Sequence, residues 1–191
     1  MSRTNLAYKT EPITDEEYLK FEREAKDKHE FIGGRIVAMA GATDRHNVIA
    51  SNVFGELWTQ LKKTSCRPFA SDMRVNAKQG NYFYPDIVVT CGERNFEDEK
   101  KKDVLTNQTV VIEVLSKSTK LKDRNEKFQA YILLESLTDY VLIEQDVMRI
   151  EHFSRIDEKD WKVRMFAEAD ETIIFESINC KLSIADIYAE G

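Results

Sequence analysis

A chain of 191 residues, 42% apolar and 32% charged, has enough apolar material for one domain with a buried core and too little polar bias for intrinsic disorder. Its net charge of −6 lacks the overall basic footprint that phosphate binding usually leaves, and no apolar run approaches the roughly 18 residues of a membrane span. Residues 1–10 hold no apolar segment of signal-peptide type, and Cys66, Cys91 and Cys180 are odd in number, far apart and without a Cys-x-x-Cys pair, so a reducing, cytoplasmic setting is expected.

In chain order, Thr14-Asp15-Glu16-Glu17 reads as a capping box that opens a first helix, with Tyr18, Phe21 and Ala25 at helical spacing. Gly33-Gly34 then supplies the positive φ of a two-residue turn between Glu30-Phe31-Ile32 and Arg35 to Met39, which predicts a hairpin with Glu30 on its first strand. From Asp44 to about Lys63, the residues Val48, Ile49, Val53, Phe54, Leu57, Trp58 and Leu61 form one apolar stripe of a long helix. Trp58 and Trp161 are both expected in the core.

Two β-rich runs follow, Cys66 to Val75 and Tyr82 to Thr90, and Glu93 to Asp103 reads as a solvated loop. Val110 to Leu115 has the composition of a central buried strand. Ser118 or Thr119 can cap a second long helix carrying Leu121, Phe128, Tyr131, Ile132 and Leu134. Tyr140 to Ile143 resumes strand, the segments around Met148–Phe153, Trp161–Phe166 and Thr172–Phe175 suggest a β-meander, and Ser183 to Tyr188 closes as a short helix. The expected fold is α/β or α+β, a mixed sheet between helices, in a single domain over residues 1–191 with its core near 14–145 and added C-terminal strands over 146–191.

Two acids stand out chemically. Asp86 follows Pro85 at the head of Ile87-Val88-Val89, and Glu113 interrupts a run otherwise made of Val, Ile and Leu. A carboxylate on a buried strand costs several kcal/mol unless it is paired, hydrogen-bonded or metal-bound. Two of them at neighbouring strand ends form a hard-oxygen site suited to Mg²⁺ or Mn²⁺, which can polarise a phosphoryl oxygen and activate water. Acids dominate residues 139–191, 13 against 6 bases, whereas Lys117, Lys120, Lys122, Arg124 and Lys127 cluster directly after the Glu113 strand, where a phosphate backbone would need positive charge.

Tyr84-Pro85-Asp86, Glu113-Val114-Leu115-Ser116-Lys117-Ser118-Thr119, and Asp123 to Lys127 with Tyr131 resemble the Uma-two family of "putative restriction endonucleases", within the PD-(D/E)xK nuclease group. The resemblance extends through Tyr18-Leu19, Glu30 to Gly34, His46 and Asp139 to Leu142, and so covers most of the chain from about Thr14. It implies a restriction-endonuclease-like mixed sheet flanked by helices and Mg²⁺-dependent cleavage of DNA. The group's usual lysine position, two residues after the second acid, holds Leu115 here, and Lys127 on the next helix matches the Uma-two pattern. By that resemblance Asp86 and Glu113 hold the metal, Lys127 completes the catalytic set, and Glu30, His46 and Tyr131 support it; apart from the resemblance, Asp72 is a further acid expected to complete the cluster, with a turn role as its alternative. A homodimer on DNA is expected by analogy, since two strands call for two sites. Two other readings compete: a catalytically silent binder of nucleic acid or protein, suggested by the acidic balance, and a glycosidase carboxylate pair, disfavoured by the neighbouring bases.

Overall fold

In the computed structural model the described residues are 12–78, 80–116 and 123–190. The capping box forms as expected: the Thr14 hydroxyl accepts from the Glu17 amide and the Glu17 carboxylate accepts from the Thr14 amide, 3.2 and 3.1 Å. It opens helix α1 (Asp15–Glu24), which buries Tyr18, Leu19 and Glu22. Strands β1 (His29–Ile32) and β2 (Arg35–Ala38) form the expected hairpin, with Gly33 and Gly34 at φ +53° and +83°, a conformation that costs a residue with a Cβ more than glycine. Helix α2 (Asp44–Leu61) buries Ile49, Val53, Leu57 and Leu61. Trp58 leaves that stripe: it is 43% exposed, with the Arg67 guanidinium 4.8 Å from its ring. The wet edge of the stripe thus turns outward at Trp58, whereas Trp161 packs partly buried against the core.

The two long β-rich runs each break in two. β3 (Cys66–Ala70) and β6 (Ile87–Cys91) pair with each other in one sheet, whereas β4 (Arg74–Asn76) and β5 (Tyr82–Phe83) pair in another. The chain changes sheet at Tyr84-Pro85-Asp86, where proline has no amide to give to a ladder. With β7 (Val104–Leu105), the first sheet has the order β2-β1-β5-β4-β7. The second contains β8 (Val110–Leu115), β9 (Asp139–Glu144), β10 (Ile150–Arg155) and β11 (Trp161–Phe166), in the order β11-β10-β9-β8-β6-β3. Only β8 and β9 in it run parallel, so the sheet is mixed.

The predicted second long helix has a different form. Its cap residues Ser118 and Thr119 lie outside the described residues, and the remainder is a π-helical turn, Asp123–Lys127, followed by the single α turn α3 (Phe128–Tyr131). The meander also divides: β10 and β11 extend the six-stranded sheet, whereas β12 (Thr172–Phe175) pairs with β13 (Cys180–Ser183) in a separate hairpin. The short last helix, α4 (Ile184–Ile187), forms with Ser183 as its cap.

Alternation along β8 separates two cores. Val110, Ile112 and Val114 pack with α2, α4 and the β12–β13 hairpin, whereas Val111 and Leu115 pack with Phe83, Tyr131 and Tyr140. Side chains on a strand alternate between faces, which assigns Glu113 to the second core, between the sheets. Cys66 and Cys91 oppose each other across β3 and β6 and form a disulfide; Cys180 is free and buried. This corrects the reading of widely spaced, unpaired cysteines: an antiparallel pair closes the 25-residue gap, and the argument for a reducing setting loses that support. No described helix is long and apolar enough to cross a membrane.

Candidate active site

Glu113 sits in the middle of an all-buried strand, so its carboxylate needs a cation within reach. Lys127 supplies it. The Lys127 ammonium lies 3.0 Å from Glu113 Oε1, 2.9 Å from Glu30 Oε1 and 3.1 Å from Asp123 Oδ1, and all four side chains are almost wholly buried. Each comes from a different position in the fold: Glu113 from β8, Glu30 across from the first sheet on β1, and Asp123 and Lys127 from the two ends of the π turn. The Phe83 ring closes one side, 5.6 Å from the ammonium.

Asp86 joins from the seam between the sheets. Ile87 faces Ile112 across β6 and β8, so continuing that register by one step sets Asp86 opposite Glu113, with both side chains leaving the same face. The Val114 amide donates to Asp86 Oδ2 at 2.7 Å, and His46 Nε2 lies 2.9 Å from Oδ1. His46 reaches it from the first turn of α2, where the Thr43 hydroxyl caps the His46 amide. The residue before the Pro-Asp step is also anchored. The Tyr84 hydroxyl donates to Glu22 at 2.9 Å and accepts from Arg74 Nε at 2.9 Å, while Glu22 in turn accepts from the His29 amide.

The electrostatics follow from three buried acids around one ammonium. Burial raises the Glu113 carboxyl well above its ordinary range; Lys127 pulls it back, and Asp123, Asp86 and Glu30 push it further up. For Lys127 burial works against the charge, but Glu113, Glu30 and Asp123 outweigh it and hold the ammonium charged far into the alkaline range. Burial would likewise lower the His46 imidazole, yet the hydrogen bond and charge of Asp86, with Asp123 behind it, carry it above its usual 6.5. The Tyr131 hydroxyl, buried beside the cluster, has no hydrogen-bond partner among the described residues.

The other residues singled out in the sequence fall elsewhere. Asp72 is 94% exposed and pairs with Lys28 at 2.7 Å, so it does not complete the acid cluster; the turn after β3 carries it to the surface. Arg124 is taken up by Glu144 and Glu151, 2.8 Å from each, and so ties the π turn to β9 and β10. Lys117, Lys120 and Lys122 lie outside the described residues. Sequence reasoning quoted Asp123 in the family-like segment but gave it no place in the site, because at four residues from Lys127 it has the spacing of an ordinary surface ion pair, and it missed the Glu22–Tyr84–Arg74 anchor, whose members are far apart in sequence.

A divalent cation suits this donor set. Among the described residues no three His, Cys, Asp or Glu side chains form a ready-made metal cage. Mg²⁺ does not need one, since it keeps several waters and takes one or two carboxylates. Asp86 and Glu113 on one face offer two hard-oxygen groups, and the acids around them exceed the local positive charge.

A family model, Uma2, described as "Putative restriction endonuclease", matches residues 15–185. In Synechocystis sp., the protein named "Uncharacterized protein sll1609" is 37% identical over 153 residues, 80% of this chain and 86% of its own. "Uncharacterized protein slr1290" of the same organism is 32% identical over 177 residues, 92% of this chain and 91% of its own. The crystal structure of "a putative nuclease belonging to DUF820" from Anabaena variabilis superposes with a TM-score of 0.75 at 23% identity, covering 93% of this chain and 98% of that one. That last likeness is one of fold.

Proposed function

The chain belongs to the Uma2 family, described as "Putative restriction endonuclease", and from that premise we propose that it is a divalent-metal-dependent endonuclease that hydrolyses phosphodiester bonds in DNA. The observation that carries the reading is the placement of Asp86 and Glu113 on one sheet face beside a buried lysine. Asp86 and Glu113 hold Mg²⁺ or Mn²⁺, which when bound polarises the phosphoryl oxygen and acidifies the attacking water. The chain's own groups keep that pair in aim. The Val114 amide and His46 fix both oxygens of Asp86, and Lys127 offsets part of the acid charge around Glu113. Lys117, Lys120 and Lys122 contact the phosphate backbone. A homodimer with one site for each strand belongs to the same reading.

The alternative, a silent nucleic-acid- or protein-binding member of the family, draws on the burial and ion pairing of Glu113 and on the net charge of −6. Incubation of the protein with plasmid and single-stranded DNA in Mg²⁺ or Mn²⁺ separates the two. Cleavage that is lost in Glu113→Gln and in Asp86→Asn supports the enzyme. Cleavage unchanged in either variant overturns the assignment, and calorimetry that finds no Mn²⁺ binding to the intact protein favours the silent form.

A further inference from the structure

An ammonium carries three N–H donors and no acceptor. Around Lys127 Nζ stand three carboxylate oxygens from three different acids, at 2.9, 3.0 and 3.1 Å. The contact to Glu113 has hydrogen-bond alignment. Asp123 Oδ1, by contrast, is a buried acceptor 3.1 Å from the same nitrogen without an aligned hydrogen bond. Three N–H groups suffice for three acids, so a small rotation about the Cε–Nζ bond lets Asp123 share the ammonium with Glu113 and hold it from the opposite end of the turn.

The turn that carries Asp123 is held from two other sides. The Tyr140 hydroxyl donates to the Asp123 carbonyl at 2.9 Å, and Arg124 reaches Glu144 and Glu151. Such anchoring keeps both ends of a π turn facing inward, a winding that occurs mostly as single turns and often at functional sites. Lys127, with 6% of its side chain exposed, would have to leave all three acids to meet a phosphate.

We propose that Asp123 is a positioning residue of the site: it holds the Lys127 ammonium against Glu113 and Glu30, and Lys127 acts through Glu113 rather than by touching nucleic-acid phosphate. The endonuclease reading supplies the chemistry being positioned, whereas the way the ammonium is held can be tested without it.

The test is NMR of the protein labelled with ¹⁵N-lysine, with no metal and no DNA, in the wild type, Asp123→Asn, Asp123→Glu and the surface control Asp72→Asn. A buried ammonium held by carboxylates gives a slowly exchanging Nζ resonance. That resonance is expected in the wild type and Asp72→Asn, lost in Asp123→Asn, and restored in Asp123→Glu, which keeps the charge. A Lys127 resonance equally protected in Asp123→Asn overturns the role of Asp123. Addition of duplex DNA in Ca²⁺ is expected to leave the wild-type resonance protected; its loss means that Lys127 departs for phosphate, which overturns the second half. In cleavage assays Asp123→Asn is expected to lower kcat by roughly 10- to 100-fold, the usual cost of removing a group that orients a metal ligand, with DNA affinity in Ca²⁺ unchanged. Wild-type protein that neither binds nor cuts DNA removes the endonuclease reading, while the resonance comparison still decides the role of Asp123.

Discussion

Replacing Lys127 by methionine keeps most of the side chain's volume and removes the charge around which Glu30, Glu113 and Asp123 are grouped. Because the ammonium and its acids are almost wholly buried, solvent screens little of the loss, and breaking a buried ion pair of this kind costs about 3–5 kcal/mol. For a chain of this size each kcal/mol moves Tm by about 2–4 °C, so the fall is roughly 6–20 °C.

The penalty depends on pH, and its sign follows from the acids left behind. In the variant Glu113 loses the charge of Lys127 that pulls its pKa back, so its folded-state value rises further above the ordinary 4.5, beyond the elevation that burial already imposes. A group whose folded pKa is raised contributes stability that is intact below its unfolded pKa and is lost as pH climbs through its folded pKa. Lys127→Met is therefore least destabilised near pH 4.5 and progressively more so toward pH 8. Urea titrations of both proteins at pH 5 and pH 8 measure this directly. A difference below about 1 kcal/mol at pH 8, the scale of an exposed pair, would refute the buried-hub argument, as would a penalty that shrinks with rising pH.

Two further outcomes rest on other parts of the fold. Tyr84→Phe removes the hydroxyl that joins Glu22 to Arg74 and leaves buried partners unmet, so chemical denaturation should register a loss of about 1–3 kcal/mol; a loss within error means that this anchor does not hold the Pro85–Asp86 step. The Cys66–Cys91 disulfide spans 25 residues, and constraint of the unfolded chain over that length is worth roughly 3–4 kcal/mol. Thermal unfolding with and without a thiol reductant should differ accordingly, and Cys66→Ala should abolish the difference.

The features legible in the sequence were those written in local chemistry. Thr14 and Glu17 lie three apart and cap one helix start; Gly33-Gly34 permits one kind of turn; Ile49, Val53, Leu57 and Leu61 recur at the helical period. Glu113 was conspicuous because an acid within an apolar run has no inexpensive solution but a partner. What escaped depended on pairing across distance. Nothing in the run from Cys66 to Val75 marks the point where the chain leaves one sheet for the other, and the disulfide follows from a register that only the sheet defines. Asp123 was hidden because four-residue spacing on a helix looks the same whether that face is wet or sealed. Asp72 and Trp58 erred the other way: their types suit a site and a core, but their backbone positions face water.

The change of sheet at Tyr84-Pro85-Asp86 also bears on how the molecule comes together. Glu30, His46 and Asp86 belong to the first half of the chain, whereas Glu113, Asp123 and Lys127 belong to the second. During synthesis the early acids emerge long before the lysine that compensates them, and Glu30 and Lys127 are 97 positions apart. Contacts of that separation form late, after the loops between them have been closed. Both sheets also draw strands from each half, since β4 pairs with β7 and β6 with β8, and the charged interior closes only when the sheet that carries Glu30 docks on the sheet that carries Glu113.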